Sequence, residues 1–281
     1  MNQAFSFNRW LLLVGKHGSE NRKKYSLGIL AIAGIILIWF LFNIIMERNH
    51  PVSLSTQAGT YFIGLFIVGC LYASTLFSDL ASKSRGINYL SLPASQLEKV
   101  LSALFYGVLV FFIVYTLVFY IVDIIMVKIG NGVSFMYWQK NHYAGEVFNP
   151  EKVVNIITLN RTRGDTINIG YLFLLGYFAL QSAYMLGSVY FSRFSFIKTT
   201  ISLLVISLLV ILFVGKILNP LLPSGSFYEG LTSYRLYDGD GGERVIRLPE
   251  WVETAGAFLL KYAFAPLFWL STYFRVKEKE I

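Results

Sequence analysis

Long stretches without a single charge constrain this chain more than anything else in it. Leu27 to Met46 is the first, an unbroken run of 20 uncharged residues rich in Leu, Ile and Phe. A bilayer core about 30 Å thick is crossed by a helix of roughly 20 such residues. Inside lipid a helix satisfies its own backbone groups, which few other structures do. Comparable runs recur, and together they predict six transmembrane helices at about 27–47, 60–77, 100–126, 167–192, 199–217 and 254–274. The expected architecture is an all-α integral membrane protein, one transmembrane domain over residues 1–281. The sixth run is the weakest, because Lys261 and Pro266 interrupt it. Proline is tolerated in membrane helices where neighbours re-satisfy the freed carbonyl, and Lys261 sits close enough to one end to snorkel outward.

Composition agrees. Charged residues make up 14% of the 281, against about 25% in soluble domains. The net charge of +8 lies in short clusters beside the apolar runs, a pattern suited to anionic lipid rather than nucleic acid. The single Cys70 excludes an intrachain disulfide. Arg9, Lys16, Arg22, Lys23 and Lys24 precede the first run with no Ala-x-Ala-like site, so no cleaved secretory signal is expected.

Charge also sets the expected orientation. With the N-terminus inside, the short cytoplasmic segments hold 13 Lys and Arg. The opposite side holds 10, diluted in long loops that also carry 10 of the 16 acidic residues. Lys and Arg density in short loops orients membrane proteins, so both termini are expected in the cytoplasm. Two exterior loops follow, 127–165 with Tyr137, Trp138 and Tyr143, and 218–253 with Asn219-Pro220-Leu221-Leu222-Pro223 and Asp238 to Gly242. Both exceed the usual connection length, so each is expected to have structure of its own.

Two segments outside the spans carry pattern. Phe7, Trp10, Leu11 and Val14 fall at i, i+3, i+4 and i+7, which predicts an amphipathic helix lying in the membrane interface. The loop 79–98 ends sharply: Pro93 stops what precedes it, and Ser95 with Glu98 forms a capping box that opens the third span. Before it, Ile87, Tyr89, Leu90 and Leu92 set apolar side chains in an aqueous loop beside Arg85. Such groups mark a partner surface or pack on the protein's own helices, and the residues alone leave both open.

The wording Phe77-Ser78-Asp79-Leu80, Arg85-Gly86, Tyr89-Leu90, Leu92-Pro93-Ala94-Ser95 and Glu98-Lys99, with six spans and an interfacial helix before the first, resembles the type-2 ABC exporter permease family of bacteria. The resemblance covers the layout of the whole chain but only about 22 residues in wording. It implies a permease subunit in the inner membrane, paired with a second permease copy or homologue. The loop would be a coupling helix docking a separate cytoplasmic ATPase through Arg85, Ile87, Tyr89, Leu90 and Leu92. Re-entrant helices would seal the outer gate, with Asn219 to Pro223 where one would begin. The large loop between spans three and four departs from simple members, which leaves a second reading: a non-transporting scaffold or envelope assembly factor acting through its exterior loops.

The chain carries no nucleotide-binding or catalytic signature of its own. Gly15-Lys16-His17-Gly18-Ser19 lacks the earlier glycine, the Ser or Thr directly after lysine, and the preceding strand of a phosphate loop. His17, His50 and His142 are far apart, and no cofactor or metal is implied. Asp238-Gly239-Asp240 reads as a turn rather than a calcium loop. Within the spans, Asp123 and Gln181 are the polar candidates beside Lys261. Asp123 is expected near the outer interface, where it stays hydrated. Gln181 is expected to make an interhelical hydrogen bond.

Overall fold

A computed structural model describes residues 5–81, 83–141, 147–157, 159–163, 165–218, 226–228, 233–237, 243–247 and 249–279. Asn219 to Pro223, Asp238 to Gly242, His142 and Tyr143 lie outside the described residues. Among the described residues, five stretches of helix are long and apolar enough to cross a membrane: Phe7–Met46, Leu54–Leu80, Gln96–Asn141, Ile169–Tyr190 and Ser195–Lys216.

The first, α1 (Phe7–Met46), is a single helix of 40 residues. At 1.5 Å per residue its contour is about 60 Å, twice the hydrocarbon core. The amphipathic start and the first span were expected as separate elements, and they are one. No proline stands between Phe7 and Met46 to interrupt the ladder. Next, α2 (Leu54–Ala73) starts earlier than its apolar run, because the Ser53 hydroxyl accepts from the Thr56 amide at 3.2 Å and caps it. The third crossing is α4 (Gln96–Leu104), one π-helical stretch (Phe105–Val110) and α5 (Phe111–Asn141) in succession. It therefore runs about 15 residues into what was expected to be exterior loop.

Between α2 and α4 lie a 3₁₀ turn (Ser78–Ala81) and the short helix α3 (Lys83–Leu90). Then α6 (Ile169–Tyr190) follows the hairpin β1 (Asn160–Arg163) and β2 (Asp165–Asn168). The Asn168 side chain caps α6 by accepting from the Tyr171 amide at 3.1 Å. A tight turn leads into α7 (Ser195–Phe213) and a second π-helical turn (Val214–Leu218). Strands β3 (Ser226–Tyr228), β4 (Ser233–Tyr237) and β5 (Glu243–Arg247) form an antiparallel sheet in the second large loop.

The sixth expected span is two helices, α8 (Glu250–Tyr262) and α9 (Phe264–Glu278), broken at Ala263. Pro266 accounts for the break: it has no amide for the Tyr262 carbonyl, and its ring crowds that oxygen. Lys261 falls in the last turn of α8 and is exposed.

Aromatic contacts give the helix directions. Phe62 stacks on Phe173 and Phe66 meets Tyr177, so α2 and α6 run parallel. Tyr72 stacks on Phe111 while Tyr61 meets Phe119, so α2 and α5 are antiparallel. The end of α9 joins the end of α6, where Lys279 Nζ donates to the Val189 carbonyl at 2.6 Å and Arg275 lies over the Tyr190 ring at 4.7 Å. Among the described residues, two apolar clusters fill the bundle. One unites Phe40, Tyr61, Leu65, Tyr115 and Phe119 with Val154 and Ile156 of the first large loop. The other gathers Ala73, Phe77, Val100, Met185, Val189 and Val276. By contrast α7 buries only Thr199 and leaves its apolar surface outward, as a lipid-facing helix does.

Candidate functional site

A cluster of polar contacts lies at the end of the bundle where α1 and α4 begin. Ser95 and Glu98 form the expected capping box: the Ser95 hydroxyl accepts from the Glu98 amide at 3.2 Å, and Glu98 Oε2 accepts from the Ser95 amide at 2.8 Å. The same carboxylate does more. Its Oε1 accepts from the Ser6 amide at 2.7 Å and from Arg9 Nη2 at 3.0 Å. Ser6 is the N-cap residue of α1. One fully buried carboxylate therefore closes the amino ends of two helices, where exposed amides and the helix dipole favour negative charge.

The Gly15–Ser19 segment is interior to α1, not a loop. Its amides are committed to the helical ladder and do not cradle a phosphate. Gly18 has a packing role instead: a Cβ there would meet the Tyr106 hydroxyl at 2.6 Å. Tyr106 uses that space to donate to the Val14 carbonyl at 2.8 Å. Its ring lies 4.7 Å from His17 and stacks on Tyr25 at 5.8 Å, while His17 Nε2 shares a 2.7 Å hydrogen bond with the Tyr25 hydroxyl. Trp10 of the expected interfacial anchor meets Phe105 edge-on at 5.7 Å, and Phe7 and Leu11 are exposed beside it. The amphipathic start thus rests partly on α4 and the π-helical stretch of its own chain.

Over this corner lies α3, whose two described apolar side chains point opposite ways. Residues two apart on a helix stand about 200° apart. Tyr89 turns in, 6.5 Å edge-on from Phe77 and 5.8 Å beneath the Lys99 ammonium. Burial raises the Tyr89 phenol above its usual range. Ile87 turns out and is 62% exposed. Leu92 lines a cavity behind α3. Arg85 and Leu90 belong to α3 by backbone, but their side chains lie outside the described residues. The docking set read from the sequence is therefore divided: Tyr89 packs on its own chain, and Ile87 is the described apolar group left free.

The intramembrane candidates also separate. Gln181 on α6 is buried, and its Nε2 donates to the Gly107 carbonyl at 3.2 Å. Gly107 belongs to the π-helical stretch, whose irregular ladder frees carbonyls for such partners. Asp123 was expected to be hydrated near the outer end of its span. It is fully buried, with neither carboxylate oxygen in a hydrogen bond. It lies on the face of α5 whose neighbours Val122 and Met126 belong to the apolar cluster that also holds Phe40, Ile44, Val154 and Ile156. An unpaired buried carboxyl contributes nothing to stability. Asp123→Asn, which keeps its size and removes the ionisable group, is therefore expected to leave the thermal unfolding temperature in detergent unchanged or raised. A marked fall would show a partner for the carboxyl.

Sequence reasoning missed Gln57. It is fully buried on α2, and its Nε2 donates to the Val52 carbonyl at 3.0 Å and the Lys152 carbonyl at 3.1 Å. Its Oε1 accepts from the Val154 amide at 2.8 Å. Asn131 holds the same segment through Glu151, donating to its carbonyl at 2.9 Å and accepting from its amide at 3.2 Å. The only local signal was a glutamine just before an apolar run. Among the described residues no three His, Cys, Asp or Glu side chains converge as a metal site. Comparison with protein-family models, curated proteins and solved structures finds no match.

Proposed function

We propose that this chain is the membrane-spanning permease subunit of an ABC-type exporter, coupled through α3 to a separate cytoplasmic ATPase. The observation that carries the reading is the seating of α3. It is a short helix outside the spans, anchored inward by Tyr89 and presenting Ile87 outward at the end of a helical bundle. A helix so held transmits a push from a docked partner directly to α2 and α4, the elements it joins. The resemblance of residues 77–99 to the exporter permeases supports the same assignment.

In this reading α8 and α9 together make a sixth, broken crossing. Support comes from parity: α9 runs parallel to α6, and its last residues reach the α6 carboxyl end. Both termini then lie on one side, taken as the cytoplasm of a bacterial inner membrane because the short basic segments gather there. Reporter fusions after Ser19 and Glu280 are expected to read cytoplasmic, and fusions after Asn141 and Gly239 exterior. An exterior signal at Glu280 removes the sixth crossing and the permease assignment with it. The function itself is tested by purifying the full chain from its native membranes, where an ATPase subunit is expected to accompany it.

A further inference from the structure

Behind α3 lies a cavity of about 500 Å³, within the roughly 300–1,000 Å³ typical of small-molecule sites. Its walls come from α1, the end of the second crossing, α3 and α4. One side is apolar, made by Leu13, Leu76, Leu92 and Ala103. Leu76 and Ala103 belong to apolar runs at the ends nearest α3, so this wall lies at the edge of the spanning segments. The other side is charged. Lys16 and Lys99 supply two ammonium groups, Glu20 and Asp79 two carboxylates, and Asn88 of α3 a side-chain amide. Lys99 is held over the Tyr89 ring, and Lys16 and Glu20 stand only in loose contact at 3.8 Å across an exposed edge.

Two cations and two anions in one cavity suit neither a simple anion nor a simple cation. They suit a ligand carrying both signs, with an apolar body on the side of Leu76 and Ala103. We propose that this cavity binds the headgroup of a zwitterionic aminophospholipid, its phosphate toward Lys16 and Lys99 and its primary ammonium toward Asp79 and Glu20. A primary ammonium donates three hydrogen bonds that a quaternary one lacks, so ethanolamine-type headgroups are favoured over choline-type. The site stands apart from the transport reading, since a permease or a scaffold would bind the lipid alike. Because the cavity backs onto α3, its occupant supports the inner face of that helix.

The test uses the full chain, delipidated in detergent, with thermal unfolding followed during titration of phosphatidylethanolamine, phosphatidylcholine and phosphatidylglycerol in mixed micelles. Phosphatidylethanolamine is expected to stabilise saturably, with the other two needing about tenfold more lipid, the worth of one charge-assisted hydrogen bond. Asp79→Asn is expected to abolish the preference while leaving the lipid-free unfolding temperature unchanged. Asn88→Leu, which crowds the cavity from α3, is expected to weaken all binding and serves if Asp79→Asn does not fold. Equal stabilisation by the three lipids, or an undiminished preference in both variants, overturns the proposal. Saturation by soluble phosphoethanolamine at the same concentration overturns the lipid assignment.

Discussion

Replacing Glu98 with alanine is expected to destabilise the protein by about 3–5 kcal/mol, the range for breaking a buried charged contact. The carboxylate accepts from the amides of Ser6 and Ser95 and from Arg9, and it is fully buried. Its loss takes from the Ser6 and Ser95 amides, at the starts of α1 and α4, the carboxylate that accepts from them. Arg9→Ala removes the carboxylate's ion-pair partner, whose side chain is partly exposed, and leaves both capped amides in place. That change is expected to cost about 1 kcal/mol or less, as surface pairs do. The two variants, compared by thermal unfolding in the same detergent, separate capping from charge pairing. Similar losses in both would show that the ion pair, not the double cap, holds this corner.

Gln57→Leu is the second large effect, expected to cost about 3 kcal/mol or more. Leucine matches the volume but leaves the Val52 and Lys152 carbonyls and the Val154 amide without their partner. Each buried group left unsatisfied costs about 1–3 kcal/mol, and water has little access to this site. The consequence is local before it is global. Residues 147–157 are expected to become protease-sensitive at temperatures where the helices remain folded, because this segment is held by Gln57, Asn131 and two buried side chains. An unchanged proteolysis rate would place the anchor elsewhere.

Several of these features were legible in the sequence, and the physical reason is locality. The apolar runs reveal the crossings because lipid imposes one length and one composition on every spanning helix. The Ser95–Glu98 box shows because its members are three residues apart. The other half of Glu98's role was invisible, since Ser6 and Arg9 lie 92 and 89 residues away. Asp123 is hidden for the same reason: its burial comes from elements packed on α5 from elsewhere in the chain, which its position in the apolar run does not reveal. The amphipathic start is expected as a separate element, and it is continuous with the first span. Charged residues between Phe7 and Leu27 suggest a change of environment, yet a helix can leave the membrane without breaking. In α3 the apolar residues Ile87 and Tyr89 were both legible, but a helix with apolar groups on opposite sides does not declare which side faces home.

That division within α3 supplies the most direct test of the proposed coupling to an ATPase. Truncating an interface anchor typically costs about 2 kcal/mol or more of binding, on the order of thirty-fold in affinity, and leaves the fold intact. Ile87 is exposed and belongs to neither apolar cluster of the described residues, whereas Tyr89 packs against Phe77 and Lys99. Co-purification of the ATPase with wild type, Ile87→Asp and Tyr89→Ala, read beside their unfolding temperatures, is the deciding measurement. The account predicts that Ile87→Asp loses the ATPase while unfolding at the wild-type temperature, and that Tyr89→Ala unfolds at a lower one. Full retention of the ATPase by Ile87→Asp, or a wild-type chain that carries no ATPase, would contradict it.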